Sequence, residues 1–336
     1  MPQSPKEIVR AALHFQTPER LPVKMGGLGV NDTQYLPRPE KREQVGEYMV
    51  DEWGCGWGHT HVRNMGQVVS HPLTDVSQHD QMTTPDYNES WRYEELEAAA
   101  RSAEEKELYT DVGIFFVLFE RFHGLVGFEN ALTGIMLDPE NACAMLDKIV
   151  DVQLTLVRNY QERIGERLHG FTMTDDWGTQ QAAFISIDKW REIFLPRYKR
   201  LFDAIHEGGQ DVWVHSCGKV NEIIEGYIEA GVNIVNLQQP RALGIEAIGR
   251  RYRERIGFES LSDIQATLPT GDRARIEADA RALAEHWMSP KGGFVFSDYG
   301  DSRAIGTTDD SKYAMYEAFS RVSQKIYGKP LPALQK

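Results

Sequence analysis

Cysteine is nearly absent. Cys55, Cys143 and Cys217 are the only three in 336 residues, and so small and odd a set argues against a disulfide framework and for a reducing compartment, the cytoplasm. Net positive charge is also missing. Asp and Glu number 50 against 37 Lys and Arg, a formal charge of −13, which disfavours general attraction to nucleic acid or to an anionic membrane. No stretch approaches the roughly eighteen uncharged apolar residues of a membrane span, and the opening MPQSPKEIVR lacks the apolar centre of a signal peptide. Internal repeats, low-complexity tracts and Pro/Gly/Ser-rich linkers are missing too, so nothing marks a domain boundary. A soluble protein of one domain, residues 1–336, is the expectation.

What is present is an ordinary globular composition, 41 % hydrophobic and 26 % charged, able to fill a large core. Short apolar runs that read as buried parallel strands lie at 21–25, 67–71, 113–119, 170–174, 211–215, 233–237, 256–260 and 294–297. Helical stretches separate the later ones. Residues 139–165 start at Asp138-Pro139 and repeat apolar residues at Ala142, Met145, Leu146, Ile149 and Val150. Residues 186–206 break near Pro196, and residues 220–230 stop at Gly231. Eight strands with helices between them predict an α/β chain folded as a (β/α)8 barrel rather than a doubly wound sheet. Residues 31–109, rich in aromatics, Gly and His, read as loops and helices over the barrel mouth.

The stretch DVWVHSCGKV (211–220) carries the strongest chemistry. Side chains alternate along a strand, so Trp213, His215 and Cys217 share one face at the strand's carboxyl end, where barrel enzymes place their chemistry. Imidazole and thiolate spaced i, i+2 can converge on one zinc ion. Equally, Cys217 can be a small buried residue and His215 a hydrogen-bonded core histidine. Completing ligands would come from other strand ends: Asp175 or Asp176, Gln238, Glu259, or Ser297, Asp298 and Tyr299. One of Asp175 and Asp176 should point into the mouth as a catalytic carboxylate, the other serving as a cap for a helix near Thr179 or in a salt bridge. Glu120 and His123 follow another strand, as pocket residues or in an internal ion pair with Arg121.

Several motifs together resemble the uroporphyrinogen decarboxylase superfamily: TPERLPV (17–23), GFENAL (127–132), DPENA (138–142), DDWGTQ (175–180), ISIDKWREIFLPRYKRLF (185–202), HSCG (215–218) and GGF (292–294). The resemblance spans most of the chain. It implies a (β/α)8 barrel with its site at the carboxyl mouth, and either a decarboxylase or a zinc-dependent, corrinoid-linked methyltransferase. The decarboxylase branch carries an arginine-rich RQAGRY near its N-terminus; here the corresponding stretch is KMGGLGV (24–30). The methyltransferase branch carries the His-x-Cys-Gly matched by His215 and Cys217. Its third ligand, a cysteine after the last strand, is replaced here by FSDYGD (296–301), so Asp298, Asp301 or Glu259 is the expected substitute.

The resemblance therefore implies zinc on His215 and Cys217, an O-methyl substrate, and a methyl acceptor corrinoid on a partner protein. Asp175 or Asp176 would protonate or orient the leaving oxygen, and Trp177, Gln180, Glu120, His123, Gln238 and Tyr299 would line the substrate pocket. A homodimer is compatible with this reading. Two alternatives stand beside it: a cofactor-free carboxy-lyase, with Arg63 and Arg121 at the mouth, and a non-catalytic corrinoid- or tetrapyrrole-binding protein.

Overall fold

A computed structural model describes residues 2–37, 40–58 and 66–334. Eight strands form the barrel: β1 (Val23–Met25), β2 (Thr33–Leu36), β3 (Tyr109–Ile114), β4 (Gly170–Thr174), β5 (Asp211–His215), β6 (Ile234–Asn236), β7 (Gly257–Ser260) and β8 (Phe294–Ser297). Neighbours pair in parallel from β2 through to β8, and β8 pairs in parallel with β1. Between β1 and β2 the ring is fastened through Asp32. Its N–H donates to the Val23 carbonyl at 2.8 Å, and its carboxylate accepts from the Val23 N–H at 2.8 Å and from both terminal nitrogens of Arg20 at 2.7 and 2.6 Å. All eight carboxyl ends therefore open on one side.

The expected bounds of β4, β5 and β8 are reproduced, and those of β1, β6 and β7 differ by one or two residues. Two expectations fail. The run at 67–71 is no barrel strand: Gln67–Ser70 is an edge of a separate antiparallel sheet with Arg42–Val45, Tyr48–Asp51 and Gly56–Gly58. None of its four residues is buried, whereas a barrel strand is covered on both faces. The eighth strand is β2, whose polar Thr33 and Gln34 hide it from an apolar-run search. The strand expected at 113–119 ends at Ile114, because Phe116 turns to a positive φ of 56° and its N–H donates to the Thr174 hydroxyl at 3.0 Å.

Five helices bear on the site: α1 (Phe119–Val126), α2 (Pro139–Ile164), α3 (Ile187–Ile193), α4 (Leu195–Glu207) and α5 (Ile223–Ala230). Asp138 caps α2, and Ala142, Met145, Leu146, Ile149 and Val150 form its buried face, as their spacing predicts. The break between α3 and α4 falls at Phe194, next to the Leu195-Pro196 turn. Among the described residues, no helix is long and apolar enough to cross a membrane.

The amino end of the barrel is sealed by Val9, Leu13, Tyr109, Trp213, Ile234 and Val295. His169 sits beside this seal, accepting the Thr110 N–H at Nδ1 at 2.9 Å, and burial holds its pKa down from 6.5 to about 4. Below pH 6.5 the unfolded chain takes up a proton that folded His169 refuses, so its effect on stability is nil above 6.5 and destabilising as the pH falls toward 4. Urea denaturation at pH 7 and 4.5 is expected to show wild type losing about 2 kcal/mol more than His169→Gln. Equal losses would place the proton elsewhere.

Candidate metal centre

β5 delivers His215 to the mouth on the inward face it shares with Trp213. Asn236, its register partner on β6, accepts from His215 Nδ1 through its carboxamide oxygen at 2.6 Å. That bond places the ring proton on Nδ1 and leaves the Nε2 lone pair free for another partner. Nε2 lies 3.2 Å from the Cys217 sulfur and 3.6 Å from Asp176 Oδ1. Asp176 is itself oriented, its Oδ1 accepting the Cys217 N–H at 2.8 Å.

Two glycines let these loops meet. A Cβ on Gly218 would fall 2.2 Å from the Gly178 carbonyl oxygen, and one on Gly178 would fall 2.8 Å from the Lys219 nitrogen. Gly218 also has a φ of 81°, which favours glycine. The HSCG and DDWG stretches thus dock against each other, bringing one ligand atom each of Asp176, His215 and Cys217 within 4.8 Å of one another. Imidazole, thiolate and carboxylate are the donors that zinc takes, so these three residues would hold such an ion. Burial, followed by the charge on Asp176, holds the Cys217 thiol well above its ordinary range; a cation bound there would oppose this shift and favour the thiolate.

The two aspartates divide their work. Asp175 is fully buried and accepts the N–H groups of Phe119 at 2.9 Å and Glu120 at 2.7 Å, together with the Tyr198 hydroxyl. It therefore caps α1, not a helix near Thr179, where residues 178–183 form a turn instead. Burial raises its pKa to about 7 against the pull of those three donors. Asp176 is the carboxylate turned to the mouth.

Glu120, on the first turn of α1, is buried, and its Oε2 has no hydrogen-bond partner. Burial, then the charges of Asp176 and Asp175, raise its pKa well above the usual carboxylate range. The expected pair with Arg121 is not made, because Arg121 turns away to Asp51 at 2.9 Å. His123 packs among Phe116, Phe119 and Phe128, and burial lowers its pKa to about 4, leaving a neutral imidazole.

The remaining expected residues are dispersed. Trp177 is wholly buried, stacked on Phe119 at 4.1 Å with its indole N–H donating to the Tyr198 hydroxyl, so it offers the mouth no surface. Gln180 is exposed and donates to the Gln239 side chain at 3.0 Å; Gln238 is half-buried. Tyr299 is half-buried, and burial, then the charges of Cys217, Asp301 and Asp176, raise its pKa. Asp298 lies beside Gly27 and Lys312, Asp301 accepts the Arg303 N–H at 3.1 Å, and Glu259 lies 3.7 Å from Lys24. The oxygen within reach of His215 and Cys217 thus belongs to Asp176, on the neighbouring β4 side, and not to Asp298, Asp301 or Glu259. Asn236, which fixes the His215 tautomer, carries no signal in the sequence beyond its place at a strand end.

Comparison with known proteins bears on this arrangement. Among curated proteins, none matches the chain. A methyltransferase from Methanosarcina mazei has a similar structure, with a TM-score of 0.70 at 15 % identity over 95 % of this chain and 98 % of that one. Mannonate dehydratase from Streptococcus suis serotype 2 is more distant, at a TM-score of 0.41 and 12 % identity over 82 % of this chain and 90 % of its own. At 15 % identity the likeness to the methyltransferase is one of fold. The family described as uroporphyrinogen decarboxylase (URO-D) matches residues 49–298, most of the barrel and every residue of the Asp176–His215–Cys217 group, and the chain belongs to that family.

Proposed function

We propose that the protein is a zinc-dependent methyltransferase that passes a methyl group from a small O-methylated substrate to a corrinoid carried by a partner protein. The observation that carries this reading is the convergence of Asp176, His215 and Cys217 within 4.8 Å, with the His215 tautomer fixed by Asn236 at 2.6 Å. Zinc held there would supply a Lewis acid for the ether oxygen. Asn236 keeps Nε2 available, and the Cys217 N–H keeps Asp176 turned inward. Asp175, wholly buried, positions α1. The proton that the leaving oxygen requires is assigned to Glu120, whose carboxyl carries an unpartnered Oε2 and whose pKa is raised by burial and by the charges of Asp176 and Asp175, which favours its protonated form.

The carboxy-lyase alternative needs arginines at the mouth. Arg121 is fully buried against Asp51, and Arg63 lies outside the described residues. Elemental analysis of the purified protein is expected to find about one zinc per chain, lost in Cys217→Ala. Conversion of cob(I)alamin to its methylated form, followed by absorbance with methoxylated donors, should track the zinc content. Metal-free wild type, or full activity in Cys217→Ala, defeats the proposal.

A further inference from the structure

Directly beneath the metal centre lies a layer of polar side chains that the proposed reaction leaves unused. Trp213 shares the inward face of His215, one two-residue step of roughly 7 Å down the strand. Over its ring stands the Lys24 ammonium, 4.9 Å from the centroid. Lys24 rises from β1, and Asp111 of β3 and Glu259 of β7 flank it at 3.5 and 3.7 Å. Both distances are long for charge-assisted hydrogen bonds, which close to about 2.7–2.9 Å. The Lys24 side chain keeps 21 % of its surface exposed; with the amino end of the barrel sealed, that surface opens toward the mouth. Thr172 of β4 donates to Asp111 Oδ2 at 2.5 Å. Asp111 Oδ1 and the Ser297 hydroxyl of β8 are buried without a partner.

Buried polar atoms are rarely left unpaired, and two in one layer below a substrate entrance mark a place where something else binds. We propose that this layer is a substrate subsite selecting a neutral hydroxyl group, so that the substrate is a hydroxylated methyl ether. Asp111 Oδ1 lacks a donor, while Lys24 and Ser297 can each still donate; a hydroxyl supplies one donor and two acceptor positions. An anionic head group would meet Asp111 and Glu259, and a cationic one would meet Lys24. The inference rests on the methyltransferase reading in calling the substrate a methyl ether and in taking this mouth as its entrance; the preference for a hydroxyl rests on the polar layer alone.

Titration calorimetry on the full-length, metal-containing protein with three head groups on one scaffold tests it: para-methoxybenzyl alcohol, para-methoxybenzoate and para-methoxybenzylamine. The alcohol is expected to bind at least about tenfold more tightly than either charged probe. Asp111→Asn, checked for folding by circular dichroism, should narrow the margin over the carboxylate to roughly threefold, and Ser297→Ala should weaken the alcohol several-fold. A charged probe binding as well as the alcohol, no binding by any probe, or unchanged selectivity in both variants overturns the subsite. Zinc measured on the same samples separates the two ideas. Zinc-free protein that still prefers the alcohol sinks the methyltransferase reading alone, and zinc-loaded protein without the preference sinks the subsite alone.

Discussion

A His215→Ala protein is expected to bind no stoichiometric zinc and to transfer methyl groups at least about 10³-fold more slowly than wild type, because it loses a nitrogen ligand that no neighbouring side chain can replace. Two variants grade the effect. Asn236→Ala keeps the imidazole but removes the 2.6 Å bond that fixes its proton on Nδ1, and outer-shell losses of this kind cost about 10–100-fold in metal affinity. Asp176→Asn keeps an oxygen near the site but removes its charge, and a fall on the order of 10²-fold in affinity is expected. Competition against a calibrated chelator gives all three affinities. Folding should survive, since the His215 and Asp176 side chains are 18 % and 37 % exposed and leave little core behind when removed. An Asn236→Ala protein with wild-type affinity would mean that the Nδ1 bond does not orient the ligand, and an unchanged Asp176→Asn would remove the carboxylate from the ligand set.

Legibility in the sequence followed how local the determining physics is. Strands β4, β5 and β8 could be bounded because each is a short apolar run, bounded at its start by a helix stop or by Gly292-Gly293; the period of two along β5 accounts for His215, but the strand ends there, and Cys217, two residues beyond, is brought beside it by the docking of the HSCG loop on Gly178. β2 could not be read, since a strand with Thr33 and Gln34 in it joins the barrel through pairing with β3 more than 70 residues away. The choice between Asp175 and Asp176 was beyond alternation alone, which says only that one points each way. It is decided by the N–H groups of Phe119 and Glu120, which capture Asp175. Likewise the approach of Asp176 to His215 and Cys217 depends on Gly178 meeting Gly218 across two loops. Lys24, lying in a run that reads as a buried strand, acquires meaning only when closure of the barrel sets Asp111 and Glu259 on either side of it.

The largest loss of stability is expected from Arg121→Met. Arg121 and Asp51 are each only 1 % exposed and pair at 2.9 Å. Asp51 also accepts the N–H groups of Trp53 at 3.0 Å and Cys55 at 2.9 Å and the Trp57 indole N–H at 3.0 Å, while the guanidinium lies 4.9 Å over the Trp53 ring. The pair therefore joins the antiparallel sheet to α1, the helix that carries Glu120 and His123. Removing the cation strands a buried carboxylate held by three neutral donors, and breaking a buried pair in this way costs about 3–5 kcal/mol. Adding Asp51→Leu is expected to recover much of that loss, since replacing both charges with apolar groups abolishes the unpaired charge. A double-mutant cycle by urea denaturation measures the coupling, and because the pair is shielded from solvent it should change little with added salt. A single-variant loss under about 1 kcal/mol would show that Asp51 finds water or another cation when Arg121 leaves. The same cycle bears on function: a guanidinium committed to Asp51 is not free to clamp a substrate carboxylate, so Arg121→Met should lower stability while leaving zinc content and the preference among the methoxybenzyl probes unchanged.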